Sequence, residues 1–180
     1  MSVEITYFVH GTTIDNEQKI ATGWLPGELS EAGIQQAKKL ARQIGDITFD
    51  VMICSDLKRA VDSAELGFKG VCPIVQDMRL RECNYGDFDG TDKSFKNNML
   101  QYVDRPYPNG ESYRDVEYRI AELLADIEAK YDGKQVAFMA HEAPQLALEV
   151  LLKDKTWQQA IDENWRKTGA WQSGWTYTIQ

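Results

Sequence analysis

Two histidines occupy the same kind of place in this chain. They are the only histidines among the 180 residues, and each follows an apolar run: "TYFV" precedes His10 and "VAFMA" precedes His141. An imidazole can serve as a nucleophile, a proton carrier or a hydrogen-bond donor near neutral pH. A lone histidine after a strand is more often a structural residue, so the case for chemistry depends on what the fold brings beside each one.

Two charged residues raise the same question. Arg59 lies near the start of the predicted helix "DLKRAVDSAELGF", and Glu82 lies in an irregular stretch. A guanidinium is a two-pronged donor for anions, and a carboxyl group can act as an acid. Taken singly, however, Arg59 would be a surface residue and Glu82 a solvated charge. Whether these residues act together depends on the elements that carry them.

The hydrophobic pattern alternates between strands and helices. Strands are predicted at 3–9, 49–55, 134–141 and 174–180, with a weaker one at 70–76. A first helix is predicted to begin at Ser30, with an apolar face that ends at Ala41 and Ile44. A second is predicted at 56–68, where Asp56 could cap its start and Gly67 could end it. Three more are predicted at 112–131, 144–152 and 156–165. Residues 81–109 break the pattern, apart from a short helix near 93–102. Such a segment is typical of a lid or a binding loop.

This alternation predicts an α/β fold of three layers, in which a mainly parallel sheet carries helices on both faces. Ligands of such sheets bind beyond the carboxyl ends of the strands. His10, Ser55 and His141 lie at the carboxyl ends of three predicted strands. Three separate segments would therefore bring polar side chains to one rim of the sheet.

Composition restricts the class of protein. With 180 residues we expect one domain over 1–180, and 43% hydrophobic and 27% charged residues are ordinary for a globular protein. A net charge of −8 argues against nucleic-acid binding and requires local positive charge for any anionic substrate. No signal peptide or membrane span is evident, and the three cysteines Cys54, Cys72 and Cys83 form no CxxC pair. We therefore expect a cytoplasmic protein with reduced cysteines and no membrane partner.

Six ordered segments resemble the histidine phosphatase superfamily, the phosphoglycerate-mutase-like proteins. They are "VHGTTIDN", "GWLPGELSEAGIQQAKKLA", "ICSDLKRAVDSAE", "LRECNYGDFDG", "PNGESYRDVEYR" and "FMAHEAP". The family pattern begins Arg-His-Gly-x-Thr-x-x-Asn, continues with Ser-Ser-Asp-Leu-x-Arg-Ala and Glu-x-x-x-Gly-x-x-x-Gly, and ends in a late strand that finishes with His. The resemblance covers residues 1–150 well and the rest loosely. At 180 residues the chain is similar to the compact phosphatases rather than to the longer mutases.

The resemblance implies a catalytic role for four residues. His10 would attack phosphorus and become phosphohistidine, while Arg59 would hold phosphoryl oxygens. A protonated His141 would donate to the same oxygens, and Glu82 would protonate the leaving oxygen and then help activate water. The family match also implies substrate or phosphate contacts at three positions: Gly11, Thr12 and Asn16. It implies no metal and no cofactor.

The chain departs from the family pattern at Val9, where the first motif has arginine. Each charge-assisted bond to phosphate contributes about 1.5–3 kcal/mol. Either the missing arginine weakens phosphate binding, or another cation takes its place in the pocket. Arg81 and Lys93 are the replacements considered. We expect Val9 near the pocket floor, where Val9→Arg would raise phosphate affinity or kcat/KM about tenfold. Glu142, where many relatives have a small residue, is expected to point outward.

The function expected from the resemblance is hydrolysis of a small phosphomonoester through phosphohistidine. The alternatives are a weakened or inactive member that binds a phosphorylated ligand, a phosphoglycerate-mutase-type transferase, and a protein phosphohistidine phosphatase. We expect a monomer or homodimer. Specificity would come from the variable segment 90–112.

Overall fold

Four of the predicted strands pair side by side in one parallel sheet. The computed structural model describes residues 2–43, 45, 47–168 and 174–180. Its five-stranded sheet has the order β4-β3-β6-β1-β7, and β7 is antiparallel to β1. The strands are β1 Val3–Val9, β2 Ile20–Ala21, β3 Val51–Cys54, β4 Ile74–Gln76, β5 Thr91–Asp92, β6 Gln135–Ala140 and β7 Trp175–Ile179. The predicted, mainly parallel sheet is confirmed.

Helices cover both faces of the sheet, as predicted. They are α1 Ile14–Glu17, α2 Glu31–Gln43, α3 Lys58–Phe68, α4 Tyr113–Tyr131, α5 Glu142–Leu152, α6 Trp157–Asp162 and α7 Trp165–Thr168, with 3₁₀ turns at Met78–Leu80, Gly86–Phe88 and Lys93–Tyr102. On one face Phe8 of β1 packs with α2 and α3 in an apolar cluster. On the other face Tyr7 and Val9 join a larger cluster with α4, α5 and α6. Neighbouring side chains of β1 thus point to opposite faces of the sheet, as in any strand, and helices bury both faces.

Several predicted boundaries were wrong. Helix α3 starts after Leu57, which lacks a side-chain cap, because the Asp56 carboxylate binds Arg81. Gly67 lies inside α3, where a Cβ atom would stand 2.9 Å from the carbonyl oxygen of Ala37. The predicted end is right, since α3 ends at the next residue, Phe68, and Gly67 also allows α3 to approach α2 closely.

Other differences concern the ends of elements. The weak third strand shortens to Ile74–Gln76, and the predicted helix over 156–165 ends at Asp162 before a separate turn begins at Trp165. Ile44 and the side chain of Ala41 lie outside the described part of the chain. The described helices include none that is long and apolar enough to cross a membrane.

The irregular segment is held by aromatic packing and a small second sheet. Strand β5 pairs antiparallel with β2. The rings of Tyr102 and Tyr107 stack at 3.9 Å between centroids, and those of Phe88 and Phe95 stack at 5.1 Å. This packing places residues 92–99 along the rim at the carboxyl ends of β1, β3 and β6.

Candidate active site

A cavity of about 470 Å³ opens at the rim predicted from the sequence. Four of the seven predicted site residues line its wall, although they come from separate stretches of the chain: His10, Asn16, Arg59 and Glu82. The other three, Gly11, Thr12 and His141, are not on the described wall. The wall also includes β2, the start of the Lys93–Tyr102 turn and residues 164–167. The structure therefore brings these four side chains to one cavity.

His10 has the orientation that a nitrogen nucleophile requires. Its Nδ1 lies 2.7 Å from the carbonyl oxygen of Gly11, which can only accept, so Nδ1 carries the proton. The lone pair is then on Nε2. Burial, and next the positive charge of Arg59, lower the pKa of His10 well below its usual value, so the ring is neutral at pH 7. A neutral ring with an available Nε2 can attack phosphorus.

Gly11 and Thr12 hold the turn after β1 rather than lining the cavity wall. The Gly11 N–H donates to Ser63 Oγ at 3.0 Å, and the Thr12 N–H donates to Gln36 Oε1 at 2.9 Å. A Cβ atom on Gly11 would stand 2.4 Å from the carbonyl oxygen of Gly33, so only glycine allows β1 to meet α2 here. Both N–H groups predicted to contact phosphate thus have partners inside the protein.

Asn16 reaches the cavity wall from the first turn after β1. It forms a capping box with Thr13 at the start of α1: its N–H donates to Thr13 Oγ, and its Oδ1 accepts from the Thr13 N–H. The cap fixes the Asn16 backbone and uses the amide oxygen. Its amide NH₂ is the group that remains to donate to a ligand.

His141 is fully buried directly beside His10, with 5.1 Å between the two ring centroids. Tyr7 fixes its backbone, because the Tyr7 hydroxyl donates to the His141 carbonyl at 2.6 Å and accepts from the His141 N–H at 3.1 Å. Within the described chain, neither ring nitrogen has a hydrogen-bond partner. A buried polar ring without a partner is costly, and an anion beside His10 would supply one.

The charge of His141 differs from the expectation. Burial, and next the positive charge of Arg59, lower the pKa of His141 well below its usual value. The ring that was expected to be protonated is therefore neutral at pH 7 while no anion is bound. A neutral imidazole still donates one N–H, and an adjacent phosphate would favour the protonated form.

Backbone carbonyls hold Arg59 at the cavity. The residue lies in the first turn of α3 and is 2% exposed. Its Nη2 donates to the Gly23 carbonyl at 2.7 Å and its Nη1 donates to the Leu25 carbonyl at 3.1 Å. A guanidinium has five N–H groups, so these two bonds orient it and leave others for an anion.

Glu82 is held from both its side chain and its backbone. Its Oε1 accepts from the N–H groups of Cys83 and Ala143, each at 2.9 Å. Its carbonyl accepts from Trp24 Nε1 at 2.7 Å and from Arg119 Nη2 at 3.1 Å. Oε2 has no hydrogen bond within the described residues and is the oxygen left to exchange a proton with a ligand.

The two cations considered as replacements for the motif arginine have different positions. Arg81 does not line the cavity: its guanidinium makes two bonds to Asp56, at 2.7 and 2.6 Å, and lies over the ring of Trp24. Lys93 does line the cavity. Arg81 is therefore committed to a structural ion pair, and only Lys93 of these two has access to a ligand.

Glu142 does not point outward, so that prediction was wrong. It is 3% exposed at the first position of α5 and lines the cavity. Its carboxylate binds Lys96, accepts from Asn164 Nδ2 at 2.6 Å and lies 3.5 Å from Arg166 Nε. Burial would raise the pKa of Glu142, but Lys96 and Arg166 together lower it to about 2. Glu142 is thus ionised and unsuited to act as an acid at neutral pH.

Val9 ends β1 but does not reach the cavity. Its side chain is 7% exposed and packs in the larger apolar cluster, and it is absent from the described cavity wall. The expected place on the pocket floor is therefore not observed. An arginine here would bury its charge, which costs several kcal/mol unless the guanidinium finds an ion partner.

We now expect Val9→Arg to destabilise the protein without raising phosphate affinity, contrary to the gain predicted from the sequence. Thermal unfolding and calorimetric titration with inorganic phosphate would measure both effects, with Val9→Met as an apolar control of larger volume. A tenfold gain in phosphate affinity would show that the side chain of residue 9 can reach the anion after all.

The two neutral histidines predict a pH dependence of stability. Because the pKa values of His10 and His141 are lowered in the folded state, the unfolded chain takes up protons first as the pH falls through the ordinary value of about 6.5. Stability is therefore full above this pH and is lost below it, by up to about 1.4 kcal/mol per pH unit for each histidine. Denaturant unfolding between pH 7 and 5.5 should show this slope. The double variant His10→Asn, His141→Asn should flatten it, and an unchanged slope would contradict the assignment.

Comparison with known proteins places this geometry in a family. A Bacillus subtilis (strain 168) protein, named as the uncharacterized phosphatase PhoE, is 31% identical over 140 residues, covering 77% of this chain and 72% of that protein. A 2,3-bisphosphoglycerate-dependent phosphoglycerate mutase of Rhizobium meliloti (strain 1021) is 29% identical over 181 residues, covering 91% and 86%. The solved structure of a mycobacterial glucosyl-3-phosphoglycerate phosphatase aligns with a TM-score of 0.77 at 27% identity, covering 90% and 84%.

The relatives thus include both phosphatases and mutases on the phosphoglycerate mutase fold. The family model of the histidine phosphatase superfamily (branch 1) matches residues 7–174, which is nearly the whole chain. This range includes the four catalytic candidates His10, Arg59, Glu82 and His141. The chain belongs to the histidine phosphatase superfamily.

Proposed function

We propose that this protein is a phosphatase that hydrolyses a small phosphomonoester through a phosphohistidine intermediate. The observation that carries the proposal is the neutral ring of His10, whose Nε2 is available, beside the unpartnered ring of His141 and the buried guanidinium of Arg59. An oxyanion that fills this place would give all three groups a partner.

The reaction would run in two balanced steps. In the first, His10 Nε2 attacks phosphorus, the bond to the leaving oxygen breaks, and a protonated Glu82 gives its proton to that oxygen. In the second, the Glu82 carboxylate takes a proton from water, whose oxygen attacks phosphorus and breaks the phosphorus–nitrogen bond. Arg59 and His141 stabilise the phosphoryl oxygens throughout.

The charges on the cavity wall support an anionic substrate. The chain carries a net charge of −8, yet six lysine and arginine side chains on the wall face only three carboxylates. The cations are Lys19, Arg59, Lys93, Lys96, Arg166 and Lys167, and the carboxylates are Glu82, Asp92 and Glu142. Local positive charge offsets the repulsive field of the whole protein, and a cavity of about 470 Å³ suits a small molecule.

A phosphoglycerate mutase is the second candidate, favoured by the 91% of this chain that aligns with the Rhizobium mutase. A mutase would return the phosphoryl group to a sugar acid rather than to water. A binding protein without turnover remains the alternative from a different class. We propose a monomer or homodimer in the cytoplasm, with one domain over 1–180 and no nucleic-acid or membrane partner.

One assay separates these functions. Purified protein is incubated with p-nitrophenyl phosphate, sugar phosphates, nucleotides and phosphoglycerates, with and without 2,3-bisphosphoglycerate, and both free phosphate and isomerised phosphoglycerate are measured. A phosphatase releases phosphate from at least one substrate, whereas a mutase interconverts phosphoglycerates. The absence of both products, with measurable phosphate binding, would contradict the enzyme and favour the binder.

A further inference from the structure

A charged cluster on the cavity wall joins one motif residue, Glu142, to three residues outside the sequence motifs. We call it the Glu142 cluster: Lys96, Glu142, Asn164 and Arg166. Its members come from the irregular segment, the start of α5 and the stretch around α7, and all four line the cavity. Lys96 and Arg166 are each ion-paired to the buried Glu142 carboxylate.

The position of this cluster argues against a purely structural role. A buried ion pair contributes little net stability, because removing both charges from water offsets their attraction. This one lines the cavity, with the Lys96 side chain 20% exposed and that of Arg166 36% exposed. The positive charges of Arg166 and Lys96 also reach His10, because after burial and Arg59 they contribute to its lowered pKa.

The charges of the motif residues alone do not balance those of a phosphomonoester. The two histidines are neutral, so Arg59 is the one cation among the four catalytic candidates. A phosphomonoester carries a charge of about −1.5 to −2 at pH 7. The Glu142 cluster has two cations and one carboxylate, so it adds the positive charge that Arg59 alone does not supply.

We propose that Lys96 and Arg166 form the second half of the phosphoryl site, beside Arg59 on the same cavity wall, and that Glu142 is the positioning residue that holds both cations in place. This inference rests on the proposed function, since it concerns the same phosphoryl group. Lys96 and Arg166 bind phosphoryl oxygens directly. Glu142 acts only through them.

The first test removes one cation at a time. Lys96→Gln and Arg166→Gln should each weaken the binding of inorganic phosphate, measured calorimetrically, and lower kcat/KM for p-nitrophenyl phosphate by at least about tenfold. The matched control is Lys155→Gln, which breaks an ion pair of 2.6 Å with the buried Glu149 away from this cavity. Phosphate binding and kcat/KM should stay within about twofold of wild type in that control.

The second test addresses Glu142. Glu142→Gln removes the negative charge but keeps an oxygen that can accept from Asn164 Nδ2. We expect phosphate to bind more tightly, because the local charge becomes more positive, while kcat falls because the two cations lose their fixed geometry. A merely structural residue would lower thermal stability without this opposite movement of affinity and kcat.

The outcomes separate the inference from the function on which it rests. If wild type binds or hydrolyses phosphate and both cation variants match it, the inference is overturned while the proposed function stands. If wild type neither binds phosphate nor hydrolyses any ester, both are overturned. Weaker phosphate binding in the cation variants supports the inference even if wild type shows no turnover, because calorimetry does not depend on catalysis.

Discussion

His10→Ala is expected to reduce turnover by at least about a thousandfold, because loss of a nucleophile removes the whole covalent route. The measurement is kcat/KM for the best substrate of the panel. Wild type that is mixed with substrate and quenched in base should carry one phosphoryl group on His10, identified by mass spectrometry of the peptide, and the variant should carry none.

A conservative control shows whether the fold survives. His10→Asn places an amide NH₂ where Nδ1 donates to the Gly11 carbonyl at 2.7 Å, yet it has no ring nitrogen that could attack. It should fold like wild type, bind inorganic phosphate and remain inactive. More than a few per cent of wild-type activity in either His10 variant, at unchanged purity, would refute the role of His10 as the phosphoryl acceptor.

Three of the four motif residues could be placed from the sequence because each stands next to the end of a regular element. His10 follows β1 and His141 follows β6, while Arg59 lies in the first turn of α3. Parallel strands bring their carboxyl ends to one edge of a sheet, so topology alone places these side chains together. Glu82 was placed by motif resemblance, since no periodic pattern surrounds it.

The Glu142 cluster could not be predicted in the same way. Lys96 lies in an irregular segment whose path depends on the stacking of aromatic rings, and Arg166 follows the break at Asp162 that the helical pattern concealed. Glu142 could have been read as buried, because it stands between the apolar end of β6 and the apolar helix α5. Its partners are 46 and 24 positions away, and no local pattern reports contacts over such separations.

Gly67 shows a different limit of reading the sequence. A glycine near the end of an apolar periodic stretch is a common helix stop, and that reading predicted the end of α3. In the structure Gly67 lies where α3 meets α2, and the Ala37 carbonyl occupies the space that a side chain would need. Both uses follow from the missing Cβ, so only the position of the neighbouring helix distinguishes them.

Glu82→Gln is expected to slow the cleavage of alkyl phosphates by about a hundredfold to ten-thousandfold, the usual contribution of a general acid. The amide oxygen of glutamine can still accept from the N–H groups of Cys83 and Ala143, so the side chain should keep its place. The loss should be far smaller with p-nitrophenyl phosphate, because its leaving group hardly needs a proton. kcat/KM is the quantity to compare, since it reports steps up to departure of the leaving group and excludes hydrolysis of the phosphohistidine.

The second step gives Glu82→Gln a further signature. Because the carboxylate also activates water, the phosphohistidine should accumulate in this variant, and p-nitrophenolate should appear as a rapid burst before a slow steady state. Glu117→Gln is the matched control, a carboxylate bound to Trp157 Nε1 and Arg114 away from the cavity, and it should show wild-type kinetics. Equal loss of kcat/KM for alkyl and p-nitrophenyl phosphates, with no burst, would mean that Glu82 acts on phosphate binding rather than on the proton. In that case the acid must be sought elsewhere on the cavity wall. Glu142 would remain unsuited to that role because its pKa is about 2.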